Sequence, residues 1–360
     1  METANFDYEL PSSAIAQVPA DRRDESRLLF VNRATGQVAD HLFRELPDLL
    51  TRKARFFRNT VMVLKARLHA RREGGGKVEC LLLRPHEESP ETRWWCLLRP
   101  GKRLPVGATF HDSGCYEATV LAKEDDGSAL VGFALHNHAT VSAMSSDRGE
   151  MPLPPYIERL PGDPRRGLDE ERYQTIYADP SQPYAAAAPT AGLHFTEPVI
   201  ERLLQNGHRF HDLNLHVGLG TFQPIKTHQI EDHELHEEFY EIPASTRAVL
   251  DRSDGDLKLA VGTTSLRAIE DYHLATRKDP AASGESFRKY AEIYIYPPEF
   301  FHTDALLTNF HLPKSSLLCL VSAFLSPGTT DGIGWLKQIY KAALKKNYRF
   351  YSYGDAMLIL

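Results

Sequence analysis

No apolar run in this sequence is long enough to cross a bilayer. The longest, LLCLVSAFL (Leu317–Leu325), covers nine residues, where a spanning helix needs about twenty. The first residues, METANFDYELPSS, lack the basic, apolar and small-residue regions of a signal peptide. Cysteine is scarce, with Cys80, Cys96, Cys115 and Cys319 and no CxxC pair. Neither a zinc knuckle nor a redox dithiol is supported, so the four read as buried, reduced thiols. These absences predict a cytoplasmic protein with no membrane partner.

Bulk positive charge is also missing. A net charge of −6 over 360 residues excludes a protein that coats nucleic acid by overall charge. What is locally absent is acid: TRKARFFRNTVMVLKARLHARR, from Thr51 to Arg72, holds eight basic residues and no acidic one. Phe56, Phe57, Val61, Val63 and Leu68 interleave them, so the charge belongs to a folded surface that suits phosphates. Together with the turn PGKRLP, this predicts an RNA-facing set of Arg55, Arg58, Arg67, Lys102 and Arg103.

Three familiar motifs fail on inspection. GGGKV (Gly74–Val78) lacks the glycine spacing and the Ser/Thr of a P-loop. GLGTFQ (Gly218–Gln223) opens like GxGxxG but ends in Gln223, which argues against a dinucleotide fold. HELHE (His233–Glu237) spaces its histidines by three, not by the four of HExxH. His216, His228, His233 and His236 have no sharper metal-ligand spacing, and no metal is expected.

What is present falls into two patterns. From about Arg67 to Ser146, short alternating strands such as KVECLLLRP, RWWCLLRP and YEATVLAKE are split by turns such as EGGG, DSGC and EDDGS. That is the rhythm of a small barrel. The stretch EMPLPPYIERLPGDP then reads as a linker. Beyond it, strands and helices alternate. DEERYQTIYA reads as a helix. TEPVIERLLQNG has Thr196 as N-cap, Pro198 in its first turn and Gly207 as its stop. DLNLHV and AEIYIY read as strands, SSLLCLVSAF as a buried helix and WLKQIYKAALKK as an amphipathic one. The first sixty residues have too little core alone and join this part. The predicted fold is an α/β main domain, residues 1–66 with 154–360, carrying an inserted all-β, barrel-like domain, residues 67–153.

Four polar loops end apolar segments: PTAGLHFT, LHVGLGTFQPI, AVGTTSLR and LLTNFHLPKSS. In an open α/β sheet such loops gather outside the carboxyl ends of the strands, where ligands bind. GTTSLR offers hydroxyls and free N–H groups at a helix start, a natural anion seat. Arg267 lies one turn further in, where its fork suits a carboxylate.

At these residues the sequence resembles the S-adenosylmethionine:tRNA ribosyltransferase-isomerase family of queuosine biosynthesis. The matching phrases are FDYELPSSAIAQVPADRRDESRLL, APTAGLHFT, LHVGLGTFQPI, HELHEEFYEI, AVGTTSLRAIE, LLTNFHLPKSS and YRFYSYGDAMLIL, from Phe6 to Leu360. The resemblance implies a β-barrel inserted into an α/β domain. It implies that the ribosyl group of S-adenosylmethionine passes to 7-aminomethyl-7-deazaguanine at the tRNA wobble position. Isomerisation then gives epoxyqueuosine, with release of adenine and methionine. S-adenosylmethionine would be a co-substrate, with no permanently bound cofactor, and the protein would act as a monomer.

That chemistry needs a base for the ribose proton beside the sulfonium and an acid for the departing adenine. His194, His216 and His311 are the candidates, with Glu238 in HEEFYEI as an alternative base. Thr263, Thr264 and Arg267 suit the methionyl carboxylate; Gly218, Gly220 and Thr221 suit close packing on the nucleoside. The sequence departs from the family at NTVMVLKARL (Asn59–Leu68), where Asn59, Ala66, Arg67 and Leu68 fit but the usual Asp and Arg are missing. Pro298 in YPPEFF replaces a common glycine, and AFLSP lacks another. The rival readings are an S-adenosylmethionine-dependent RNA methyltransferase, for which no glycine-rich first turn is found, and a non-enzymatic RNA-binding module.

Overall fold

The computed structural model describes residues 1–160, 162–182, 187–216, 224–235, 238–252, 255–278 and 284–360. Its strands divide into two sheets, as the change of rhythm in the sequence predicts. The first is nine-stranded, in the order β13-β11-β10-β3-β12-β14-β15-β1-β2. Its members are β1 (Arg27–Asn32), β2 (Gln37–Leu42), β3 (Ala54–Asn59), β10 (Arg209–Leu215), β11 (Glu238–Ile242), β12 (Leu257–Val261), β13 (Phe287–Ala291), β14 (Ala305–Asn309) and β15 (Ala356–Ile359). The second is a closed barrel of β4 (Arg67–Arg71), β5 (Lys77–Pro85), β6 (Arg93–Arg99), β7 (Thr109–Asp112), β8 (Tyr116–Lys123) and β9 (Ser128–Leu135).

The large sheet is covered on both faces at its centre, so buried side chains there run consecutively rather than alternating. β14 and β15 have every residue buried. Alternation survives in which layer each side chain enters. Phe56 and Phe57 are both fully buried, yet they belong to different core clusters, because successive side chains leave opposite faces of a strand. Phe57, Leu213 and Leu306 meet α6 (Thr263–Lys278), α7 (Ser316–Leu325) and α8 (Asp331–Lys345) on one face. Phe56, Leu259 and Leu307 meet α1 (Leu46–Leu49) and α4 (Glu197–Gln205) on the other.

The barrel has its own core, built on Cys80, Cys96, Trp94, Phe110, Tyr116 and Val131. Antiparallel pairing closes it through Arg71 opposite His111. The helix α2 (Val141–Arg148), not expected within this segment, packs Val141 and Met144 into that core. Thr140 caps it by accepting from Ala143 N at 3.1 Å. The two chain crossings are tied to each other: Arg67 N donates to Glu150 O at 3.1 Å, and Glu150 N to Arg67 O at 2.9 Å.

Two sequence expectations shift along the chain. The helix read at DEERYQTIYA is α3 (Arg166–Arg172) and ends where Tyr173 is buried. Gln174 then leaves the helix to bond Val63, accepting from its N at 3.1 Å and donating to its O at 3.3 Å. The strand read at AEIYIY ends at Ala291, because the carbonyls of Ala291 and Ile293 are taken by the Arg267 guanidinium. Thr196 stands at the N-cap position of α4, but its hydroxyl donates to Asp24 rather than capping.

Candidate functional site

β3, β10, β12 and β14 run parallel, so their carboxyl ends share one edge of the sheet. β15 runs antiparallel to β14, which brings the segment before it to the same edge. A cleft opens there and encloses about 630 Å³ of empty space, part of it open to solvent.

Three of the four polar loops line this cleft: Ala188–Ala191 from the first, Gly262–Thr264 from the third, and Thr308–Leu312 with Ser315 from the fourth. Gly218, Gly220 and Thr221 lie outside the described residues. The chain rejoins the site beyond them, where Ile225 N donates to Lys314 O at 2.7 Å. Tyr156, Tyr351 and Ser352 complete the lining, and neither tyrosine was singled out by sequence. The only signal for Tyr351 was its place in the phrase YRFYSYGDAMLIL.

Two helix N-termini face the cleft. α6 begins at Thr263, directly after Gly262, whose φ of +93° needs a residue without Cβ. α7 is capped by Ser315, whose hydroxyl accepts from Leu318 N at 3.2 Å. Free N–H groups and aligned dipoles make such ends attractive to an anion. Thr263 and Thr264 line the cleft at the first of these ends.

The opposite wall is aromatic. Tyr156 and Tyr351 stack with centroids 4.5 Å apart and planes 27° from parallel. The Tyr156 hydroxyl is 2.7 Å from Ser352 Oγ. Tyr351 holds φ at +70°, a conformation that is costly for a bulky residue and concentrates at functional sites. Its buried hydroxyl has no hydrogen-bond partner among the described residues. A flat ring can slide beside this pair.

The three histidines separate. His311 lines the cleft and is buried, with Nε2 2.8 Å from Thr308 Oγ1. Burial lowers its pKa to about 3, so at neutral pH the ring is uncharged. His216 follows the last residue of β10, packs on Phe239 at 5.1 Å and is pulled down to about 4 by burial. It does not line the cleft. His194 lies behind the wall, stacked on Phe43 at 5.2 Å. Its Nδ1 is 3.1 Å from Ala191 O and its Nε2 3.0 Å from Gly354 O. Burial lowers its pKa against the pull of those two carbonyls.

Arg267 and Glu238 are corrections. Both are buried, and Arg267 Nη1 donates to Glu238 Oε2 at 3.0 Å. The other guanidinium nitrogens donate to Ile293 O at 2.9 Å and Ala291 O at 2.8 Å. Neither residue lines the cleft, because one turn into α6 the side chain leaves the pocket side and pins β13 instead.

Three of the basic candidates are also spent. Arg55 pairs with Asp256 at 3.1 Å, Arg58 with Asp212 at 2.8 Å and Arg67 with Glu79 at 2.8 Å. Arg58 further lies over the Tyr177 ring at 4.3 Å. Their acidic partners come from the neighbouring β5 and, far along the chain, from β10 and the approach to β12, so a run free of acid in sequence is not free of acid in space. Lys102 and Arg103 are exposed in the turn after β6 and form no ion pair among the described residues. The four cysteines are buried and free. Among the described residues no cluster of His, Cys, Asp or Glu suits a metal, and no helix is long and apolar enough to cross a membrane.

The departures at Asn59–Leu68 fall at the junction with the barrel. Val61 and Val63 are buried there beside Tyr173 and Leu193, and Lys65 pairs with Glu170 at 2.8 Å. The segment holds the two parts of the fold together and does not line the cleft.

Comparison with known proteins places this architecture. A family model described as Queuosine biosynthesis protein matches residues 3–359. The S-adenosylmethionine:tRNA ribosyltransferase-isomerase of Thermotoga maritima is 39% identical over 363 residues, and that of Desulfitobacterium hafniense 42% over 368, each across the whole of both chains. The crystal structure of S-adenosylmethionine tRNA ribosyltransferase from Thermotoga maritima superposes with a TM-score of 0.53 at 32% identity, covering 99% of this chain and all of that one. The match spans the barrel, the sheet and every loop of the cleft: the chain belongs to the queuosine biosynthesis protein family.

Proposed function

We propose that this protein is an S-adenosylmethionine:tRNA ribosyltransferase-isomerase. It moves the ribosyl group of its co-substrate onto 7-aminomethyl-7-deazaguanine in tRNA and isomerises it to give epoxyqueuosine. The observation that carries the reading is one cleft with an anion seat, a stacked aromatic wall and a neutral buried histidine. The methionyl carboxylate goes to the N-termini of α6 and α7, at Thr263, Thr264 and Ser315. The adenine lies against Tyr351 and Tyr156. His311 accepts the proton from the ribose carbon that the sulfonium acidifies. Since His311 starts neutral, it can return that proton to the leaving adenine within the same turnover.

The same reading divides the chain into a catalytic part, 1–66 with 154–360, and a barrel, 67–153, whose Lys102 and Arg103 face the RNA. The protein is read as a monomer, which size-exclusion chromatography with light scattering tests. Its tRNA substrate and its buried, reduced thiols support a cytoplasmic location.

Ribose-labelled and methyl-labelled S-adenosylmethionine, run in parallel on tRNA carrying the aminomethyl base, test the assignment. Label should reach the RNA from the ribose alone, with adenine and methionine released in equal amounts. Transfer of the methyl label alone would replace this reading with a methyltransferase.

A further inference from the structure

The phrase ADRRDESRLL plays no part in the cleft, yet it places Arg23 beside a second cavity. That cavity is small and partly open to solvent, and Arg23, Arg172, His194 and Ser352 are among its lining residues. Ser352 lines the main cleft too. The wall between the two spaces is therefore the 190–194 turn and the 351–354 segment.

The two arginines have an unusual environment. Arg23 donates to Leu193 O at 3.0 Å, Glu171 O at 2.9 Å and Arg172 O at 3.4 Å. Arg172 is 9% exposed and donates to Asp21 O at 3.1 Å and Ala20 O at 2.8 Å. Every partner is a neutral carbonyl. No carboxylate lies within ion-pair distance of either guanidinium among the described residues, and Arg172 Nε is buried with no partner at all. Two guanidinium groups carry ten N–H donors, and these five bonds leave the rest unclaimed around the cavity. Burial and the neighbouring Arg172 charge both lower the Arg23 pKa, tempered by the more distant Glu171.

Carbonyl contacts alone explain how the arginines fasten the 20–23 loop to the end of α3. They leave the buried Arg172 charge, with the partly exposed Arg23 charge beside it, without a carboxylate partner, whereas buried charges are normally paired. We infer that Arg23 and Arg172 form an oxyanion site for a backbone phosphate of the RNA substrate, next to the nucleotide held in the main cleft. This rests on the tRNA reading above. A phosphate is favoured over the carboxylate of the co-substrate because that group already has the two helix N-termini, on the other side of the wall. Guanidinium forks match phosphate oxygens, and the unclaimed donors supply the bonds. His194, held between two carbonyls at the same cavity, gains its second proton more readily once an anion is bound.

The test begins without RNA. Inorganic phosphate should raise the melting temperature of the wild-type protein in a saturable way, and Arg23→Gln should remove the saturable part. A rise that is linear in phosphate and equal in both proteins is ordinary salt exclusion and overturns the site. Binding of an anticodon stem-loop is then measured against salt. Arg23→Gln should weaken it about tenfold and reduce the salt slope by about 0.7 to 0.9, the value of one phosphate contact, with S-adenosylmethionine affinity unchanged. An unaltered slope refutes the inference, as does loss of co-substrate affinity alone, which would assign the arginines to its carboxylate. If Arg23→Gln does not fold, Arg23→Lys keeps the charge and loses the fork. It should retain the slope and bind more weakly, and unchanged affinity would count against the site. Wild-type turnover with ribose-labelled co-substrate reports on the enzymatic reading separately from all of these.

Discussion

Arg267 Nη1 lies 3.0 Å from Glu238 Oε2, in a pair that is 9% and 7% exposed. The arginine that sequence placed on a ligand carboxylate is bound instead to a carboxylate of its own chain, and its remaining donors hold β13. Removing one partner of such a pair leaves the other buried without compensation, which costs about 3–5 kcal/mol. Arg267→Ala should lose that much stability in urea unfolding, while the folded protein keeps its affinity for S-adenosylmethionine in calorimetry. A stable variant with weakened co-substrate binding would restore the original assignment.

His311 makes stability depend on acid. Its pKa is about 3 in the folded chain and close to the ordinary 6.5 when unfolded, so between those values the unfolded state binds the extra proton. Stability then falls as the pH falls from 6.5 toward 3, by up to about 1.4 kcal/mol per unit. His311→Asn should flatten this slope, measured by unfolding from pH 7 to pH 4. It should also lower kcat by about 10²–10⁴ as a proton acceptor is lost. A variant with wild-type kcat would move the base elsewhere, with His216 next in line.

The aromatic wall predicts a division of labour between two similar tyrosines. Tyr351→Ala removes a stacking face and should weaken S-adenosylmethionine by about 1–3 kcal/mol, the range for a base on an aromatic ring. Tyr156→Phe keeps the ring and loses only the 2.7 Å hydrogen bond with Ser352 Oγ, so its effect should stay below about 1.5 kcal/mol. Equal losses in isothermal titration would mean that the hydroxyl, not the stack, organises the wall.

On the RNA side, the paired and unpaired cations should behave differently. Lys102→Ala with Arg103→Ala should reduce the salt slope of tRNA binding by about 0.7 to 0.9 for each phosphate left without its cation. Arg55→Ala removes a charge already neutralised by Asp256 and should leave the slope alone. The reverse result would put the RNA along β3 and not along the barrel.

These contrasts show what the sequence could carry. The barrel and the α/β order were legible because strand and helix periods are local, and the loops of the cleft because glycine, threonine and proline mark the ends of strands. Pairing between separate segments of the chain is not local. Nothing near Arg58 announces Asp212, and nothing near Arg267 announces that Ala291 O and Ile293 O await it. Tyr351 went unnoticed because an aromatic residue near a chain terminus reads as core, and only its φ of +70° and its place in the cleft mark it out.

Asn59 provides the sharpest test of how the fold sets the site. It is fully buried at the end of β3. Its Oδ1 accepts from Val61 N at 3.0 Å and from Leu215 N at 3.1 Å, while its Nδ2 donates to Leu215 O at 3.0 Å. One side chain thus turns the chain toward the barrel and fixes the last residue of β10, directly before His216. Asn59→Asp is nearly isosteric but exchanges the donor for an acceptor facing Leu215 O, and it buries a charge. Its folded pKa should therefore lie above the ordinary carboxylate value, with the protonated form able to donate where the amide did. The deficit relative to wild type should be full above that raised pKa and shrink as the pH falls through it. Asn59→Ala strands three backbone groups at about 1–3 kcal/mol each and should show no such recovery. Unfolding of the three proteins from pH 7 to pH 5 separates the cases: a constant deficit in Asn59→Asp would mean that shape, and not the donor to Leu215, is what this position requires.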